Sequence, residues 1–147
     1  MHIQVYLQEE IMEKYTFAAL QTIPAAGVAT LNPTEYCCGC GAVRQTETGV
    51  IRLSGICGRQ KTQYHIMFDA NVAIPTGGTV GPITISILLD GVPLPASTAI
   101  VTPAAAEEFW HISLNDLVDV CFGDSVTIGI RNESGAPINM QNAILTV

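Results

Sequence analysis

Between Tyr64 and Asn71 the chain alternates: Tyr64, Ile66, Phe68 and Ala70 project to one side, and His65, Met67, Asp69 and Asn71 to the other. The same two-residue period returns in Ile83, Ile85, Ile87 and Leu89, and again in Val126, Ile128 and Ile130. A period of two belongs to an extended strand with one face buried, because successive side chains leave a strand in opposite directions. Turn-forming residues separate the runs: Pro75 to Thr79, Asp90-Gly91, Gly123-Asp124 and Asn132 to Pro137. Short alternating runs punctuated in this way predict an all-β fold of about 8–10 strands, either a sandwich or a barrel.

Other stretches extend the reading. Gly49 to Ile56 predicts a strand, and Ser97 to Val101, between Pro95 and Pro103, a short edge strand. Glu107 to Val120 fits two patterns. Phe109, His111 and Ser113 against Trp110, Ile112 and Leu114 suit a strand, whereas Leu114, Leu117 and Val118 suit one helical turn. Ala143 to Val147 predicts a last strand, forming a hairpin with the Val126–Ile130 run across the turn at 132–137.

Residues 1–16 read as a separate N-terminal arm, with 17–147 as the sandwich domain. Ile3, Val5 and Leu7 alternate as in a strand; Leu7, Ile11 and Tyr15 then fall four apart, as on one face of a short helix. Such an arm is too short to be stable alone. It either docks on the domain or anchors the domain to something else through Ile3, Val5, Leu7, Ile11 and Tyr15.

Only 13% of the residues are charged, while 48% are apolar. So few charges leave apolar surface to be covered, either by neutral Thr, Ser and Gln or by contact with other copies. The net charge of −7 argues against a phosphate-backbone partner. Four of the six basic residues, Arg44, Arg52, Arg59 and Lys61, lie close in sequence, interrupted by Glu47 and turn residues, and read as a mildly basic loop region. The first residues show no basic segment followed by an apolar run, and no apolar run approaches the roughly 20 residues that cross a bilayer. The expectation is synthesis in the cytoplasm without a signal peptide and without membrane insertion.

The cysteines are the one concentration of reactive groups. Cys37, Cys38 and Cys40 with Cys57 contain enough thiolates for a zinc site, but the paired two-residue spacing of structural zinc is missing. A disulfide to Cys57 after export, or small apolar side chains in a Gly-rich loop, are the other readings. A cysteine nucleophile needs a histidine base and an orienting group; His2, His65 and His111 sit in no such local motif. Asp116, Asp119 and Asp124 do not have calcium-loop spacing. These residues predict neither catalysis nor a cofactor.

Taken in order, the Tyr64–Phe68 strand, the apolar strand closing on Asp90-Gly91, the strand through Trp110 and Ile112, the run Leu117 to Val126 and the end Asn142 to Val147 form a pattern. It resembles the trimeric jelly rolls of the tumour necrosis factor and complement globular-head superfamily, most of all their bacterial and phage branch of exosporium-protein C-terminal domains and phage head-fibre or fibre-tip domains. The resemblance covers about residues 17–147. It implies a jelly-roll sandwich, three copies around a threefold axis, termini near one end and no catalysis. Tyr64, Phe68, Phe109, Trp110, Ile128, Ile130 and Leu145 are the residues expected at the trimer interface. The sequence departs from the family in its Cys37-Cys38-Gly39-Cys40 loop, and the arm stands where a collagen-like stalk would be. The function implied is that of a non-enzymatic virion structural protein, a capsid decoration, head fibre or fibre tip, with the arm held by a capsid or other virion protein. The alternatives are a receptor- or glycan-binding module of a bacterial or phage surface, and a small metal- or cysteine-dependent enzyme.

Overall fold

The computed structural model describes residues 13–35, 42–56 and 58–147. Eleven strands run through them: β1 (Lys14–Phe17), β2 (Gln21–Ile23), β3 (Asn32–Glu35), β4 (Val43–Glu47), β5 (Val50–Ser54), β6 (Lys61–Ala73), β7 (Ile83–Leu89), β8 (Val92–Val101), β9 (Trp110–Cys121), β10 (Ser125–Asn132) and β11 (Ile138–Thr146). One sheet has the order β3-β1-β11-β6-β9, with β2 also paired to β11; the other has the order β4-β5-β10-β7-β8. The strand pairings are antiparallel, and of the sandwich and barrel that alternation leaves open the chain forms the two-sheet sandwich that the resemblance implies. β2, β3 and β4 are too short for a period of two to announce them.

The alternating rows face each other across the sandwich. Ile66, Phe68 and Val72 of β6 are fully buried, as are Ile85 and Ile87 of β7 and Ile51 and Leu53 of β5. Each large side chain removed from water in this way contributes about 1.5–3 kcal/mol. The long pairing of β6 with β9, from Lys61 opposite Cys121 to Val72 opposite Trp110, keeps Ile112, Leu114, Val118 and Val120 on that inner face. Asp90-Gly91 closes the β7–β8 hairpin with φ of 50° and 79°, the pair of positive values that a type I′ turn needs.

Several expectations are corrected. β10 and β11 lie in different sheets, so residues 133–137 cross between layers and no hairpin forms. Residues 110–121 are strand throughout: Leu117 points outward, and the Leu114, Leu117, Val118 spacing is incidental to a strand whose inner row is 112, 114, 118 and 120. β8 begins five residues earlier than expected, at Val92, and tolerates Pro93 and Pro95 because it is an edge strand whose outer N–H groups need no partner. Of the two readings of the arm, Tyr15 follows the docked one. It sits in β1, opposite Leu145 of β11, 1% exposed, so residues 14–16 are part of the sandwich and the four-residue spacing that ended on Tyr15 does not continue as helix there. Ile3, Val5, Leu7 and Ile11 lie outside the described residues.

The sandwich has two distinct ends. Glu13 and Val147 exchange backbone hydrogen bonds, Glu13 N–H to Val147 O at 3.2 Å and Val147 N–H to Glu13 O at 3.0 Å, and this pair, where β1 begins and β11 ends, marks one end, the foot. The segments 74–82, 102–109 and 133–137 form the opposite end, the crown. Asn132, wholly buried, fixes the crown: its amide donates to Ile23 O (3.1 Å), Pro24 O (3.2 Å) and Ala136 O (3.0 Å), and its Oδ1 accepts from Ser134 N (2.9 Å). Asn132→Leu keeps the volume but strands these groups, and should lower unfolding stability in urea by about 2–4 kcal/mol, against less than about 1 kcal/mol for Ser134→Ala.

At the foot, the Tyr15 hydroxyl donates to the Glu13 carboxylate. Burial above all, then that hydrogen bond and the negative charge of Glu13, raises the phenol well beyond its ordinary value near 10. The folded chain therefore holds a proton that the unfolded chain releases. Its stabilising contribution is complete below about pH 10 and falls as the pH climbs further. Between pH 9 and 11 the urea midpoint of the parent chain should fall more steeply than that of Tyr15→Phe, which starts from a lower value because Glu13 has lost its donor.

Candidate binding surfaces

The residues expected at a trimer interface divide sharply. Tyr64, Phe68, Ile128, Ile130 and Leu145 are at most 5% exposed in the single chain, since each stands on the inner row of its strand. They are core, and one copy already uses them. Tyr64 is further held by its hydroxyl, which donates to Ser54 O at 2.5 Å. Phe109 and Trp110 are different: both are exposed at the start of β9, where the strand leaves the crown, and the Trp110 indole N–H donates to Glu108 at 2.8 Å.

Phe109 and Trp110 are part of a longer margin. Among the described residues ten large apolar side chains are exposed, and five of them, Met67, Phe109, Trp110, Leu117 and Phe122, lie on, beside or opposite β9. β9 is the edge of the six-stranded sheet, so apolar surface concentrates on one border of the molecule. The edge itself is partly blocked against indiscriminate strand addition. The Leu117 N–H donates to the Asp116 carboxylate at 2.8 Å, and the Ser97 hydroxyl of β8 donates to Asn115 O at 3.4 Å. Side-chain contact on this margin is favoured over backbone pairing.

Towards the crown the same outer face turns polar. His111 Nε2 lies 3.2 Å from Asp69 Oδ1 and Nδ1 lies 3.2 Å from Asn71 Oδ1, while Asn71 Nδ2 donates to Asn142 Oδ1 at 3.4 Å. Asn142 occupies a register break of β11 with φ of 55°. No cysteine or serine is shown in contact with the His111 ring, whose neighbours among the described residues are Asp69 and Asn71. His65 points outward opposite Leu117. His2, Cys37, Cys38, Cys40 and Cys57 lie outside the described residues, and Cys121 is an exposed thiol at the end of β9.

The crown contains a cleft that alternation could not announce, because loops build it. About 600 Å³ in volume, it runs between residues 74–83 and 134–138, walled by Ile74, Pro75, Val80, Pro82, Pro137 and Ile138. Its described lining holds hydroxyls from Thr22, Thr76, Thr79 and Ser134 but no charged or aromatic side chain. Such walls suit a neutral apolar group and offer nothing for acid–base work.

No protein-family model and no curated protein sequence matches the chain. Solved structures do. The globular domain of zebrafish complement 1qA protein aligns with 94% of this chain and 96% of its own at 8% identity and a TM-score of 0.53. Murine APRIL aligns with 92% of this chain and 99% of its own at 7% identity and a TM-score of 0.50. PRD1 vertex protein P5 aligns with 92% and 94% at 10% identity, with a TM-score of 0.49. At such identities the likeness to the first two establishes architecture, and by architecture this all-β chain is a two-sheet antiparallel jelly roll of the kind found in the complement 1qA head and APRIL.

Proposed function

We propose that the chain is a non-enzymatic structural head that works as a homotrimer, mounted on a virion by the segment preceding Glu13, as a capsid decoration, head fibre or fibre tip. The observation that carries this reading is the apolar margin along β9, with Phe109, Trp110, Leu117, Phe122 and Met67 exposed in a chain that is only 13% charged. Exposed apolar surface concentrated on one border favours burial against other copies. A threefold ring joins two different patches on each copy, and the β9 margin supplies one of them. The jelly-roll fold and the sequence resemblance to trimeric heads support the same arrangement.

The direction of the strands supports the mounting. The chain enters β1 from the foot and leaves β11 toward it, so an attachment segment at residues 1–12 would leave the crown free to face outward. Three attachment segments carried by one trimer would each raise the effective concentration of the others, so that weak individual contacts hold firmly together. The neutral lining of the cleft, without a charged side chain, favours binding over acid–base chemistry there.

Sedimentation equilibrium should give three times the chain mass. Met67→Glu with Leu117→Glu should produce a folded monomer, because an unpaired carboxylate at a dry contact costs several kcal/mol. Leu20→Glu, an exposed position between β1 and β2 and away from β9, should leave the trimer intact. Deleting residues 1–12 should preserve the trimer while abolishing its attachment to particles. A monomeric parent chain would end the proposal.

A further inference from the structure

Arg44 and Arg52 are eight positions apart in the sequence, and the β4–β5 hairpin sets them directly opposite each other. Both are exposed between buried neighbours, Val43 on β4 and Ile51 and Leu53 on β5, so both project from the outer face of the five-stranded sheet. The expected basic loop is therefore a pair of arginines on adjacent strands, with side chains starting about 5 Å apart. Like charges in that relation repel, and an acidic chain with only six basic residues has little reason to place two of them together. Elsewhere, Lys61 pairs with Asp119 at 3.4 Å and Arg131 with Glu133 at 3.5 Å. Neither Arg44 nor Arg52 forms an ion pair among the described residues. Glu47 lies beyond a register shift on β4, and Asp90 is engaged with Thr127, accepting its N–H at 2.9 Å. On the other side of Arg52 stands Thr127 itself, uncharged.

We infer that Arg44 and Arg52 together form a binding site for carboxylates presented by an acidic segment of a partner protein. Two guanidinium forks on neighbouring strands offer paired N–H donors to a carboxylate, and such an anion relieves their mutual repulsion. The net charge of −7 opposes approach by an extended polyanion, so the site fits one or two closely placed carboxylates and not a phosphate backbone. It lies on the other sheet from the β9 margin and is formed within one copy.

The test is fluorescence anisotropy of a fluorescein-labelled peptide with two adjacent glutamates in an otherwise uncharged sequence, titrated with the full chain at low salt, with inorganic phosphate as competitor, beside thermal melts. The parent chain should bind the peptide, and binding should weaken at least about tenfold in Arg44→Glu, with a smaller loss in Arg44→Lys, which keeps the charge but not the paired donors. Arg44→Glu should also melt about 1–3 °C higher, because it turns a repulsive cross-strand pair into an attractive one. A better-folded variant that no longer binds is the outcome expected of a site kept at the expense of stability. The inference is overturned by equal peptide binding in the parent and Arg44→Glu, by absence of peptide binding, by phosphate displacing the peptide as effectively as free glutamate peptide does, or by a lower melting temperature in Arg44→Glu.

Discussion

Everything in this fold follows from two sheets that are apolar on one face only. Neither sheet can expose the row that contains Phe68, Ile85 or Ile51, and pressing the two rows together is the arrangement that removes both from water. Once the layers are fixed, the edges become the remaining liability, and each is handled by local chemistry. β8 carries Pro93 and Pro95 along its free side. β9 turns an aspartate back onto its own Leu117 N–H and lends Asn115 O to Ser97 of the facing sheet. These contacts leave side chains, and not bare backbone, as the means by which another molecule is met.

The two faces that remain outside differ in chemistry. The β9 border of the six-stranded sheet carries Met67, Leu117 and Phe122 from its middle to the foot and Phe109 and Trp110 at the crown, and between them Asp69, Asn71, His111 and Asn142 tie three strands together. The five-stranded sheet instead sets Arg44 opposite Arg52, with no ion pair to either among the described residues. The apolar border and the arginine pair thus lie on different sheets. The crown adds a third, neutral recess, and Asn132 holds its wall in place from inside the core. Removing water from a polar side chain is tolerated there because four backbone groups replace it.

Much of the architecture was legible because alternation is a local property. Tyr64 to Ala70, Ile83 to Leu89 and Val126 to Ile130 carry their inward faces in the order of their residues, and Asp90-Gly91 specifies its turn through two residues that accept positive φ. The candidate site was far less legible. Tyr64, Phe68, Ile128, Ile130 and Leu145 were chosen as interface residues for being large and apolar, the same property that makes core. Only Phe109 and Trp110 of that set are exposed, and Leu117, Met67 and Phe122, which complete the margin, are marked by standing out of phase with an inner row or beyond a strand's end. Tyr15 shows the opposite failure, since three residues four apart are too few to distinguish a helix from coincidence.

The amino-acid sequence by itself determined which segments extend, which side of each turns inward and where the tight hairpin falls, because those depend on neighbours within a few residues. The tertiary structure alone decided that β10 and β11 part into different sheets, that Asn132 reaches back to Ile23, and that Arg44 meets Arg52 across a hairpin. Those outcomes depend on register and layer assignment, which are set by how all the buried rows fit together and not by any one of them.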